Sequence, residues 1–131
     1  MKKLIPLILG TFCLTQSLFA NQPEREIVLK TEKINEAVHW MPEKVEVTAG
    51  ETVKFVAKHE LQGGFDFHGF SIPVLNVAEQ IERNKPKTVE VKIPSSLKPG
   101  EYPIGCQFHP KHVGALLIVK EAPKKEAPKA K

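Results

Sequence analysis

The residues best equipped for chemistry lie in one short stretch, Cys106-Gln107-Phe108-His109-Pro110-Lys111-His112. A thiolate and two imidazoles this close in sequence can converge on one point. They form a soft-to-borderline donor set that suits copper or zinc and not magnesium or calcium. Pro110, between the two histidines, fixes its own φ and limits how far the rings can wander apart. A fourth donor must come from elsewhere, and His68 is the best placed. It stands among Phe65, Phe67 and Phe70, where an imidazole needs a polar partner that a metal would supply. Gly69 beside it removes steric bulk, and Asp66 could orient a ring as a hydrogen-bond acceptor. The competing readings are a small buried hydrophobe for Cys106, a satisfied core residue for His68 and a solvent-facing loop residue for His112. His59 and Glu60 precede Leu61-Gln62-Gly63-Gly64 and read as surface residues. His39 reads as exposed, Trp40 as core or as a cover over the site, and Met41 as packing.

Strands must hold these donors. Residues 26–30 form a short apolar run, and residues 44–48, 52–57 and 89–93 alternate with period two. Ala49-Gly50-Glu51 and Lys98-Pro99-Gly100 are turn signals. The loop that carries Cys106 lies between Glu101–Ile104 and Ala115–Val119. The second of these is a continuous apolar run, as expected for a strand buried on both faces. Only Val77 to Asn84 offers a helical turn, with Val77 and Ile81 at i, i+4. The fold class is therefore all-β, an antiparallel sandwich or barrel.

Residues 1–20 read as a secretory signal peptide: Lys2 and Lys3, an apolar Leu4–Leu14, then Ser17-Leu18-Phe19-Ala20 as the cleavage site. Cys13 invites a lipoprotein reading, but Phe12 before it is bulky where that signal needs a small residue. The resulting division is a leader at 1–20, one domain at 21–120 and a disordered Lys/Pro/Ala tail at 121–131. The mature chain would then keep one cysteine, Cys106, which cannot form an internal disulfide and points to a free thiol, an intermolecular bond or a metal ligand. The net charge of +4 comes from the ends, since residues 21–119 hold 12 basic against 13 acidic side chains. That body lacks the basic excess a nucleic-acid binder needs. The leader's apolar run is too short and too soon interrupted by Thr15 and Gln16 to span a membrane, and no other stretch is long and apolar enough.

Three segments together resemble the cupredoxin family. Met41 to Phe55 is similar to its opening strands, His68-Gly69-Phe70-Ser71-Ile72-Pro73 to the segment that brings the first histidine, and Pro99 to His109 to its last-but-one strand and ligand loop. The resemblance covers about residues 27–119. It implies a Greek-key β-sandwich of about seven or eight strands and a single copper held by His68, Cys106 and His109. The usual axial methionine is missing. The position three residues after His109 is His112, which becomes the fourth ligand. Segments around Gly69–Ile72 and Cys106–Lys111 are similar to the nitrosocyanin-like, red-copper branch, where a Glu stands in the place of His68 and the second loop histidine comes later. The resemblance further implies one-electron transfer in the periplasm, with a redox partner docking beside His109, Phe108 and Pro110. Copper tolerance or delivery to a copper-handling protein uses the same residues, and a structural zinc site fits the same donors. Catalysis of the red-copper kind needs an open metal position, which four protein ligands would close.

Overall fold

The computed structural model describes residues 25–124; the leader expected at 1–20 and most of the tail expected at 121–131 lie outside them. The described residues form nine strands: β1 (Arg25–Ile34), β2 (Ala37–Met41), β3 (Lys44–Thr48), β4 (Thr52–Lys58), β5 (Phe67–Ile72), β6 (Val77–Glu82), β7 (Lys87–Lys92), β8 (Gly100–Ile104) and β9 (Ala115–Lys120). A single 3-10 turn at Pro73–Leu75 separates β5 from β6. The all-β sandwich is as expected, with more strands than the alternation alone marks.

Three strands escape a reading by pattern. β2 follows β1 through Asn35-Glu36, both with positive φ (47° and 65°), the backbone that a two-residue hairpin turn requires. β5 is interrupted by Gly69, which weakens its strand signal. The third, β6, occupies the segment expected to form a helical turn. Val77 and Ile81 are both buried, yet a spacing of four satisfies period two as well as period 3.6, so it does not distinguish strand from helix. Pairing with β5 over the register Phe67↔Glu82 to Ile72↔Val77 decides for the strand.

One sheet runs β2-β1-β4-β7 and the other β3-β9-β8, with the β5-β6 hairpin as a third ladder. β1 pairs parallel with β4, and β3 parallel with β9, so the chain crosses between layers and does not meander. β9 is central to its sheet, but it alternates: Ala115, Leu117 and Val119 are buried while Leu116 and Ile118 are half-buried. The expectation of equal burial on both its faces is not met, because only one face lies on the core.

That core is built from Leu29, Trp40, Val47, Val53, Phe55, Phe70, Ile72, Ile104 and Leu117. Inward-facing residues alternate along the strands, as two packed faces require. Phe70 lies at its centre, edge-on to Trp40 at 5.4 Å between ring centroids and 6.0 Å from Phe55. It is also two residues from His68 on the same face of β5. Phe70→Ala should cost about 3–5 kcal/mol through lost burial and the cavity left behind. Urea unfolding followed by Trp40 fluorescence would measure it. A loss below about 1 kcal/mol would mean that the core collapses around the gap.

Candidate metal centre

The loop joining β8 to β9 is fastened at both ends. Gly105 and Ser71 exchange two backbone hydrogen bonds, each 2.9 Å, tying the loop's start to β5. At its end, Val113 N–H donates to the Val38 carbonyl at 2.8 Å, and Trp40 N–H donates to the Val113 carbonyl at 3.1 Å. Between these points the chain turns at His109-Pro110-Lys111-His112, where His112 N–H donates to the His109 carbonyl at 3.0 Å. Pro110 occupies the first central position of that turn, which its fixed φ favours.

This closure brings together all four residues expected from the sequence. One potential ligand atom from each of His68, Cys106, His109 and His112 lies within 4.8 Å of every other. His68 Nδ1 is 2.9 Å from His112 Nδ1, and Cys106 Sγ is 3.4 Å from His109 Nδ1. Two imidazole nitrogens that face each other leave two lone pairs to satisfy. One shared proton or one metal ion can do so. The Gly69 N–H donates to Cys106 Sγ at 3.1 Å and fixes where the sulfur lies. The side-chain set fits a copper or zinc ion on donor chemistry and on convergence.

Gly69 does more than make space beside His68. A Cβ there would stand 2.8 Å from the Gln107 backbone nitrogen, so the loop could not approach β5 as it does. Trp40 covers this floor from below, and its Nε1–H donates to the Gly69 carbonyl at 3.0 Å. Trp40 is thus both core and support for the site.

Several expected details are corrected. His59 is no surface residue: it is 1% exposed and packs edge-on to His68, with ring centroids 4.3 Å apart. Its Nδ1 meets Thr31 Oγ1 at 2.9 Å, and its Nε2 meets the Phe65 carbonyl at 3.0 Å. The signal was present in the alternation. Val53, Phe55, Ala57 and His59 share one parity, and the strand pattern carries that face inward. Thr31 follows Ile27 and Leu29 in the same way on β1. Asp66 orients no imidazole and pairs instead with Arg83 at 3.0 Å. His39 is half-buried and not exposed, with its Nδ1 enclosed. Phe65 was not singled out as functional, yet it stacks on His109 at 3.9 Å between centroids.

Burial sets the charge state of the rings. His68 is pushed down to about 3 from an ordinary 6.5, first by burial and then by His59, His112 and His109. His112 is lowered first by burial and then by His109 and His59. His59 is lowered by burial, which outweighs its bond to the Phe65 carbonyl. All three rings therefore stay neutral and keep lone pairs available in mild acid. In the metal-free protein, the unfolded chain binds protons at these positions that the folded chain refuses. Stability is complete above the ordinary value of 6.5 and is lost as pH falls from there towards about 3. The urea midpoint of the metal-free protein should fall across that window, and less steeply in His68→Gln. Equal slopes for the two proteins would show that His68 does not drive the loss.

The sequence of residues 3–119 matches the family model for a cupredoxin-like domain. No match to a curated protein was found. Among solved structures, the chain is similar to the copper nitrite reductase of Nitrosomonas europaea, with a TM-score of 0.62 and 17% identity over 80% of this chain and 44% of that one. It is similar to the metal-binding domain of the Streptococcus pneumoniae Cu(I)-exporting P-type ATPase CopA, with a TM-score of 0.59 and 14% identity over 73% of this chain and 85% of that one. It is also similar to auracyanin of Roseiflexus castenholzii, with a TM-score of 0.56 and 15% identity over 76% of this chain and 98% of that one. At such identities the likeness is one of fold. With the family model matching nearly the whole sequence and the strands arranged as described, this chain belongs to the cupredoxin-like family.

Proposed function

We propose that the protein is a copper-binding electron carrier whose single ion is held by His68, Cys106, His109 and His112. The observation that supports this most is the convergence of one cysteine sulfur and three imidazoles, with a possible ligand atom of each within 4.8 Å of every other. Copper bound there supplies a one-electron couple, Cu(II)/Cu(I), with the Cys106 sulfur as its most covalent ligand. The chain's own part is to hold the donors still. His68 is fixed on β5, Cys106 is held by the Gly69 N–H, and the 109–112 turn sets the spacing of the other two. Holding geometry constant lowers the reorganisation that each electron must overcome.

The environment grades from dry to wet. His68 is 2% exposed, whereas Phe65 and Phe108 beside His109 are 56% and 44% exposed. An apolar rim of Phe65, Phe108 and Pro110 thus surrounds the outermost ring, where a redox partner could dock. Four protein donors favour a carrier over an enzyme, because catalysis at a metal needs a position for substrate. The periplasmic placement rests on reading residues 1–20 as a cleaved leader, with the domain at 21–120 and the tail beyond it. Among the described residues, no helix is long and apolar enough to cross a membrane.

The test is the absorption and EPR spectrum of the protein loaded with one equivalent of Cu(II). An intense visible thiolate band is expected, and Cys106→Ser should abolish it. His112→Met should raise the reduction potential, because a thioether donates more weakly than an imidazole and favours Cu(I). An unchanged potential would remove His112 from the ligand set. A colourless protein that prefers zinc would replace the carrier with a structural site. Loss of the ion on reduction to Cu(I) would point to copper delivery.

A further inference from the structure

The loop between β4 and β5 is stitched closed at its base. Asn84 N–H donates to the His59 carbonyl, and Arg83 N–H donates to the Asp66 carbonyl, both at 2.8 Å. Its tip carries Gly63 and Gly64, with φ of 77° and 73°, which bend the chain back towards the site. The next residue, Phe65, lays its ring over His109 with the two planes 25° apart. It also meets His112 edge-on at 6.2 Å.

One atom holds that ring in place. The Phe65 carbonyl accepts from His59 Nε2 at 3.0 Å and from Arg83 Nη2 at 3.0 Å. A carbonyl only accepts, so His59 Nε2 carries the proton and Nδ1 carries a lone pair. Thr31 Oγ1–H donates to that lone pair at 2.9 Å. The Phe65 carbonyl therefore sets the tautomer of His59, and the buried hydroxyl on β1 holds the ring in the orientation that clamps the Phe65 backbone. Phe65 is exposed and gains little from burial of its own, so the clamp on its carbonyl sets where its ring lies.

We propose that His59 is a positioning residue: through the Phe65 carbonyl it holds the Phe65 ring against His109, and this stack governs how fast the metal leaves. The proposal rests on the copper reading above for its metal. Its physical basis is separate from ligation, because neither Thr31 nor Phe65 offers a donor to the site. For the ion to leave, His109 must swing away, and a ring stacked on its face opposes that swing. A cleft lined by Leu61, Gly63, Gly64, Phe65 and His112 lies beside the stack. Displacing Phe65 opens the ligands to water and to a competing chelator.

The experiment measures Cu(II) release from the loaded protein into excess EDTA, read at the thiolate band. Phe65→Ala should release copper about ten-fold faster, the upper range of what an aromatic stack contributes, with the band position unchanged. His59→Ala should speed release by up to the effect of Phe65→Ala, since Arg83 still holds the carbonyl, and the double variant should be no faster than Phe65→Ala alone, since both act on one stack. His59→Gln, which can still donate to the carbonyl, should recover much of the slow release. Thr31→Val keeps the shape of β1 and provides the same test if His59→Ala fails to fold; its rate should rise towards that of Phe65→Ala. Release from Phe65→Ala at the parent rate would overturn the proposal. So would effects of His59→Ala and Phe65→Ala, or of Thr31→Val and Phe65→Ala, that multiply in the double variant. If Cu(II) gives no thiolate band, the copper reading fails and the clamp is tested in metal-free protein by NMR. The His109 ring protons should be shifted upfield by Phe65 and return towards ordinary positions in Phe65→Ala and Thr31→Val. His109 shifts unaltered by either change would overturn the clamp independently of the metal.

Discussion

The two backbone hydrogen bonds between Gly105 and Ser71 are the constraint on which the site depends. They join the β5-β6 hairpin to the sheet containing β8 and so bring His68 to the loop that carries the other three donors. Without that bridge, the β5-β6 hairpin is a two-stranded ladder of its own, and such hairpins are marginal alone. The bridge in turn depends on residues that lack a side chain. Gly69 lets the Gln107 backbone pass close to β5, and Gly114 lets the loop return past the Ile104 carbonyl. Both glycines are selected by close approach, which explains why small residues stand on either side of a bulky donor cluster.

A second consequence follows from burial. Three histidines, His59, His68 and His112, are held below their ordinary proton affinity, and His68 most strongly. Keeping imidazoles neutral in the metal-free state costs stability in acid, but it leaves nitrogen lone pairs directed at one place. His59 differs from the other two in having both ring nitrogens engaged by Thr31 and Phe65. It therefore contributes packing and orientation while His68 and His112 keep nitrogens facing each other. Proximity alone does not separate the two roles, since the ring of His59 is as close to that of His68 as the ring of His112 is, 4.3 against 4.4 Å.

The donor cluster was legible because it is mostly local: Cys106, His109 and His112 lie in one loop, and their residue types restrict the chemistry. His68 was legible from its phenylalanine neighbours and from the order of the cupredoxin segments. The clean alternations at residues 44–48 and 52–57 gave β3 and β4 directly. What sequence hid was non-local or ambiguous. The β6 segment has a spacing common to helix and strand, and only its pairing with β5 resolves it. His59 precedes a glycine-bearing loop, which marks it as a surface residue by sequence, although the parity of β4 extends through it and carries it inward. The orientation of Phe65 depends on Thr31 and Arg83, which are distant in sequence, so no local pattern could reveal it.

The chain's only methionines are Met1 and Met41, so a thioether from the ligand loop is not available to the proposed ion. Its fourth donor would be the His112 nitrogen, on a turn stiffened by Pro110 and backed edge-on by Phe65. Nitrogen is a harder donor than a thioether and stabilises Cu(II) relative to Cu(I), which lowers the potential. Burial acts against this, because a dry pocket disfavours the more highly charged oxidised state. The Gly69 N–H on the Cys106 sulfur works in the same direction as burial, withdrawing charge from the thiolate. The working potential would therefore be set by competition between one added imidazole on one side and, on the other, the burial of His68 and a hydrogen-bonded sulfur. Of the two imidazoles that face each other, only that of His112 lies on the half-exposed loop, where it can change without disturbing the core. That places His112, and not the buried His68, as the residue through which such a site is tuned to its partner.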